Sequence, residues 1–144
     1  MTWNASIAEF PTTVEAARAA KASGLRTVCG APNVLRGRSH NGNVSAVELI
    51  SLGLCDGLSS DYLPFAMIGA LGILVRNGIC SIPDAVRLVT SGPANTVGLA
   101  DRGFLEVGAR ADLTICHLTW ENPAVIGTFR ASTASIPSLA LQDS

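Results

Sequence analysis

Along the first hundred positions, short apolar runs that suit strands alternate with longer stretches that suit helices. Ile7 to Phe10 is the first such run, and Pro11 closes it. Thr12-Thr13-Val14-Glu15 then offers a capping box, in which Thr12 and Glu15 satisfy each other's exposed backbone amides. A helix is predicted from there through Ala16, Ala17, Ala19 and Ala20, ending at Gly24, a residue suited to a left-handed cap. Leu25 to Gly30 predicts a second strand, where Thr27, Val28 and Cys29 suit a sheet buried on both faces. Ala31 to Asn43 is polar and glycine-rich and is predicted to be a long loop. Ser45 and Glu48 repeat the capping-box spacing at the start of a helix that ends near Gly53. Gly57 to Ser60 predicts a third strand closing on Asp61. An apolar helix follows from about Pro64 to Asn77, stopped by Gly78, and another starts at Ser81 with Pro83 in its first turn.

Strand and helix in strict alternation is the pattern of parallel α/β architecture, which places function at the strand C-termini. Past Leu99 the pattern changes. A turn-rich stretch over 101–108 and a strand over Ala111 to Cys116 predict a separate β module. From Thr119 the chain is rich in Ser, Thr, Ala and Pro with no sustained period, and a poorly ordered tail is expected. The expected division is therefore 1–99, 100–118 and 119–144.

Composition narrows the class. With 144 residues, 48% hydrophobic and 15% charged, the chain can bury a core of ordinary domain size. A mean hydropathy of +0.37 raises the question of a membrane. The longest uncharged apolar stretch, Tyr62 to Val75, contains Pro64 and is too short to span one. No basic segment followed by an apolar one lies near Met1, so no signal peptide is predicted and a cytoplasmic location is expected. The net charge of -1 provides no overall field for nucleic acid or an anionic membrane, and neither partner is expected. Cys29, Cys55, Cys80 and Cys116 form no C-x-x-C pair and are expected to be reduced, mostly buried thiols.

Few residues can carry chemistry. Asp61, at a strand end, suits a metal ligand or proton acceptor, although an aspartate at a strand-to-helix junction is often just a helix N-cap. The segment Asn33 to Asn43 holds Arg36, Arg38, Ser39, His40 and Asn43 among glycines. Forked guanidinium donors and open backbone amides suit polyphosphate, and the alternative is a solvated connection. The 2 histidines, His40 and His117, are too few for a complete metal site. His117 follows the last strand and is expected at the surface. Glu9 suits either a site wall or a charge at the start of a helix.

Three segments together resemble one family, the phosphonate-metabolism diphosphatases of the amidohydrolase superfamily. They are Ala8-Glu9-Phe10-Pro11-Thr12-Thr13, Gly30-Ala31-Pro32-Asn33 continuing into Ser39-His40-Asn41-Gly42-Asn43-Val44-Ser45, and Leu58-Ser59-Ser60-Asp61-Tyr62. Thr90-Ser91-Gly92-Pro93-Ala94, Gly98-Leu99 and Gly108 to Leu113 are similar to the superfamily's broader ending. The likeness covers roughly Ser6 to Cys116. It implies a divalent-metal hydrolase, using zinc or manganese, on a TIM-like (β/α)8 barrel with a small β-sandwich. Such enzymes take a phosphorylated sugar as substrate and cleave its 5-triphosphate to release diphosphate. Asp61 matches the last-strand aspartate that binds metal and helps deprotonate the attacking water, while Arg36, Ser39, His40 and Asn43 fall in the substrate-side segment.

There are also departures. Arg38 stands where the family more often has glycine, and Asn41 where it has serine. The likeness fades after Cys116, suggesting a truncated or frameshifted end. The family's His-x-His strand, bridging lysine or carboxylate, and further histidines would lie before Ile7. The expectation is therefore the C-terminal part of a barrel plus a partial sandwich, inactive alone and unable to retain metal. Its open sheet edges would invite self-association. The alternative function is a non-catalytic remnant that binds a phosphorylated ligand or a protein partner.

Overall fold

The computed structural model describes residues 5–37, 42–117 and 123–131. Strands β1 (Ile7–Glu9), β2 (Arg26–Gly30) and β3 (Gly57–Ser59) form a parallel sheet in that order, with Glu9 opposite Val28 and Gly30 opposite Ser59. Helix α1 (Val14–Ala22) connects the first two strands. Helices α2 (Ala31–Arg36) and α3 (Ala46–Ser51) lie between the second and third. Helices α4 (Ala66–Arg76), α5 (Ile82–Val89) and α6 (Ser91–Thr96) follow, then an antiparallel ribbon of β4 (Leu113–His117) and β5 (Ala124–Phe129). The core joins Cys29 and Leu58 of the sheet to Val34, Leu49, Ala66, Ala70 and Leu74 of the helices, all buried. Among the described residues no helix is long and apolar enough to cross a membrane.

The alternation of elements is as the sequence predicts, and the differences have local causes. Thr13, not Thr12, caps α1, its hydroxyl accepting from the Ala16 amide at 3.1 Å. Thr12 is engaged elsewhere, since its carbonyl accepts from the Val44 amide at 3.0 Å. The expected loop over 31–43 begins instead as α2. Pro32 sits in its first turn, Ala31 and Val34 are buried, and Gly37 closes it at φ 69°. Six residues are too few for an apolar period to stand out against Asn33 and Arg36. The sequence predicts no element over 91–96, where α6 forms despite Gly92 and Pro93, with Thr96 donating its hydroxyl to the Gly92 carbonyl at 2.9 Å.

Part of the expected tail, 124–129, is strand β5. Val125 and Ile126 are both apolar and both exposed, so no alternation marks this strand. Of the cysteines only Cys29 is buried; Cys55, Cys80 and Cys116 are partly exposed free thiols, a correction to mostly buried. Pairing with Cys55 and burial push the Cys29 thiol up.

Below the sheet, at the strand N-termini, Asp56 ties α1, β2 and β3 together. Its carboxylate accepts from the Thr27 amide at 2.8 Å and from Lys21 Nζ at 2.9 Å, while Thr27 Oγ1 donates to the Leu54 carbonyl at 2.6 Å. Lys21 and Arg26 are 35% and 58% exposed, so water screens their ion pairs with Asp56 and the fully buried Thr27 carries most of the effect. Asp56→Ala, leaving that amide unpaired, is expected to cost about 2 kcal/mol.

Burial pushes the Asp56 carboxyl up, but the Thr27 amide and the Lys21 ammonium outweigh it and hold the group below the ordinary carboxylate range. Between the lowered folded value and the ordinary unfolded one, the unfolded chain binds more protons. This stabilisation is therefore present above the ordinary range and is lost as pH falls through the folded value. Urea midpoints measured from neutral to acid pH should fall less steeply in Asp56→Ala than in the parent. Parallel profiles would contradict this role.

Candidate active site

The three parallel strands end at one cleft of about 140 Å³, lined among others by Phe10, Gly30, Asn33, Arg36, Asn43 and Asp61. Two of the strands lead into irregular backbone there. Phe10, just after β1, has φ 54°, and Asp61, just after β3, has φ 51°; among the described residues they are the non-glycine residues in the left-handed region. A bulky residue rarely adopts this conformation, and such strain concentrates where function demands a particular placement. Between them, at the end of β2, Gly30 lies in contact range of both. A Cβ added there would lie 3.4 Å from Phe10 Cε1 and 3.7 Å from Asp61 Oδ2.

Asp61 sits in a turn closed by the Leu63 amide donating to the Ser60 carbonyl at 3.0 Å. The helix that follows does not begin until Ala66; Phe65 is its N-cap, and no side chain caps it. The N-cap reading of Asp61 therefore does not hold. Its residue is exposed, and among the described residues no hydrogen bond or ion pair engages the carboxylate. The left-handed turn places this carboxylate at the cleft.

The opposite wall is assembled from α2 and the start of α3. Asn33 accepts through Oδ1 from the Ala46 amide at 2.9 Å, joining the two helices. The Val44 to Thr12 bond fixes the chain next to Asn43, and Ser45 caps α3 by accepting from the Glu48 amide at 3.1 Å. Arg36, at the last turn of α2, is exposed at the cleft and donates from Nη1 to Tyr62 Oη at 2.9 Å.

The structure thus brings together three of the residues singled out in the sequence: Asp61, Arg36 and Asn43. Ser39 and His40, with Arg38 and Asn41, lie outside the described residues. Glu9 is exposed at the end of β1 and does not line the cleft, and His117 is exposed at the end of β4. Sequence reasoning gave no role to Phe10, Asn33 or Tyr62. Tyr62 stood beside Asp61 in a quoted motif, but nothing in the sequence links it to Arg36, 26 positions away.

Among the described residues no group of three or more His, Cys, Asp or Glu side chains could hold a metal ion. Asp61 offers one donor, so these residues do not by themselves fit a metal centre, which needs at least three protein ligands.

Three parallel strands joined through helices, with a carboxylate at the cleft where they end, place the chain in the α/β class. The sequence pattern of the Amidohydrolase family matches residues 48–133, and the chain belongs to that family. The match runs past Cys116, where the likeness was expected to fade, and takes in both β4 and β5. Over 113 residues the chain is 49% identical to the alpha-D-ribose 1-methylphosphonate 5-triphosphate diphosphatase of Escherichia coli (strain K12), covering 77% of this chain and 30% of that protein. It is 33% identical over 141 residues to a dihydroorotase of Syntrophotalea carbinolica (strain DSM 2380 / NBRC 103641 / GraBd1), covering 71% of this chain and 33% of that protein. The chain spans about a third of the length of these relatives.

Proposed function

We propose that this chain carries the carboxylate and the phosphate-facing wall of a metal-dependent diphosphatase acting on alpha-D-ribose 1-methylphosphonate 5-triphosphate. The observation that carries the reading is the convergence of Asp61, Arg36 and Asn43 on one cleft at the strand C-termini. The 49% identity to a protein named for that activity supports the substrate. Arg36 binds phosphate oxygens with its remaining guanidinium donors, and Asn43 adds neutral amide donors beside it. Asp61 is the residue that would take a proton from water, and it would supply one donor to a divalent zinc or manganese ion, which would add Lewis acidity there. The parallel sheet is part of a TIM-like barrel, with 1–99 in the barrel and 100–118 in a sandwich module.

Binding is separable from turnover. Inorganic diphosphate should bind the chain without metal, and Arg36→Ala should weaken that binding about tenfold. Calorimetry on the two proteins measures this, and equal affinities would refute the phosphate-site reading. With added manganese or zinc, the chain alone is expected to release little diphosphate. Robust turnover would overturn the claim that it is a fragment of the catalytic unit.

A further inference from the structure

Arg36 and Asp61 line the same cleft with side chains of opposite charge type, yet among the described residues they form no ion pair. Were they paired, each would neutralise the other. The guanidinium would lose attraction for phosphate, and the carboxylate would lose attraction for a cation or a water proton. What holds Arg36 instead is a neutral acceptor, the hydroxyl of Tyr62, at 2.9 Å from Nη1. Tyr62 adjoins Asp61 in the turn after β3, so the backbone that presents the carboxylate also sets the phenol that restrains the guanidinium.

We propose that Tyr62 is a positioning residue that holds Arg36 ready for a phosphate group and keeps it off Asp61. Because the phenol oxygen accepts from Arg36, its own proton points elsewhere and Arg36 keeps Nη2 and Nε for the ligand. The hydroxyl adds no charge, so it orients the guanidinium without competing for the anion's place. An exposed hydrogen bond has a modest effect on stability, so its value lies in restricting the rotamers of a long side chain before the ligand arrives.

This role rests on the phosphate-site reading of Arg36, and one set of measurements separates the two. Diphosphate affinity is measured by calorimetry in the parent chain, Tyr62→Phe, Arg36→Ala and the double variant. Tyr62→Phe is expected to weaken binding about threefold to fivefold in the parent and by less than about twofold in Arg36→Ala. Tyr62 is the only tyrosine of the chain, so fluorotyrosine labelling gives a single fluorine resonance that reports on it alone. Diphosphate should shift this resonance in the parent and leave it in place in Arg36→Ala. Equal losses in both backgrounds, or no loss and no shift in the parent while Arg36→Ala still loses affinity, would overturn the positioning role and leave Arg36 as a phosphate ligand. Unchanged affinity in Arg36→Ala would overturn both readings.

Discussion

Alanine at Gly92 is expected to remove a large part of the chain's stability and lower its urea midpoint sharply. A Cβ at this position would collide with the backbone carbonyl oxygen of Asp56 and lie 2.7 Å from the carbonyl oxygen of Arg87. Both obstacles are main chain, so no side-chain rotation relieves them, and α6 would have to move off the start of β3. That shift would also strain the Asp56 anchor on Thr27 and the strand that leads to Asp61. Overpacking of this kind costs about 3 kcal/mol or more, a large part of the total stability of a small domain. Gly53→Ala is the control. Gly53 has φ 67° with nothing within 4 Å of an added Cβ, so only backbone strain of about 1 kcal/mol applies. Urea unfolding of the two variants should differ clearly, and equal midpoints would contradict the packing argument.

The second large effect concerns Asp61. An alignment of 113 residues in a chain of 144 necessarily takes in this position, so the aligned segment can replace its counterpart in the Escherichia coli relative. In that chimera Asp61→Asn is expected to lower the rate of diphosphate release by about a thousandfold. Asparagine is nearly isosteric, but it carries no charge and cannot take a proton from water. Because Asp61 is exposed and engages no partner among the described residues, the substitution should leave the unfolding midpoint unchanged. A chimera that keeps its rate with asparagine would show that the carboxylate is a bystander.

Much of the fold was legible because its signals are local. Ser45 and Ser81 cap helices where the sequence places them, and Gly78 stops α4 with φ 65°. The alternation of strand and helix gave the parallel sheet because such connections leave few other topologies. Three elements of six residues that lack such a cap signal were not legible. Helix α2 hides its buried Ala31 and Val34 among polar neighbours, α6 contains a glycine and a proline that suggest a turn, and β5 is apolar at adjacent positions. At the site, Asp61, Arg36 and Asn43 could be named from residue type, strand-end position and resemblance. That Arg36 rests on Tyr62, and that Phe10 and Asp61 meet beside Gly30, depends on contacts between residues far apart in the sequence, which no spacing along the chain encodes.

Crystals of the same chimera grown with zinc and inorganic diphosphate offer the most direct view of the cleft. Anomalous scattering at the zinc edge should place the ion about 2.0–2.2 Å from an Asp61 carboxylate oxygen, with the diphosphate contacting the Arg36 guanidinium. Zinc bound elsewhere, with the Asp61 carboxylate pointing away from both ion and anion, would contradict the account.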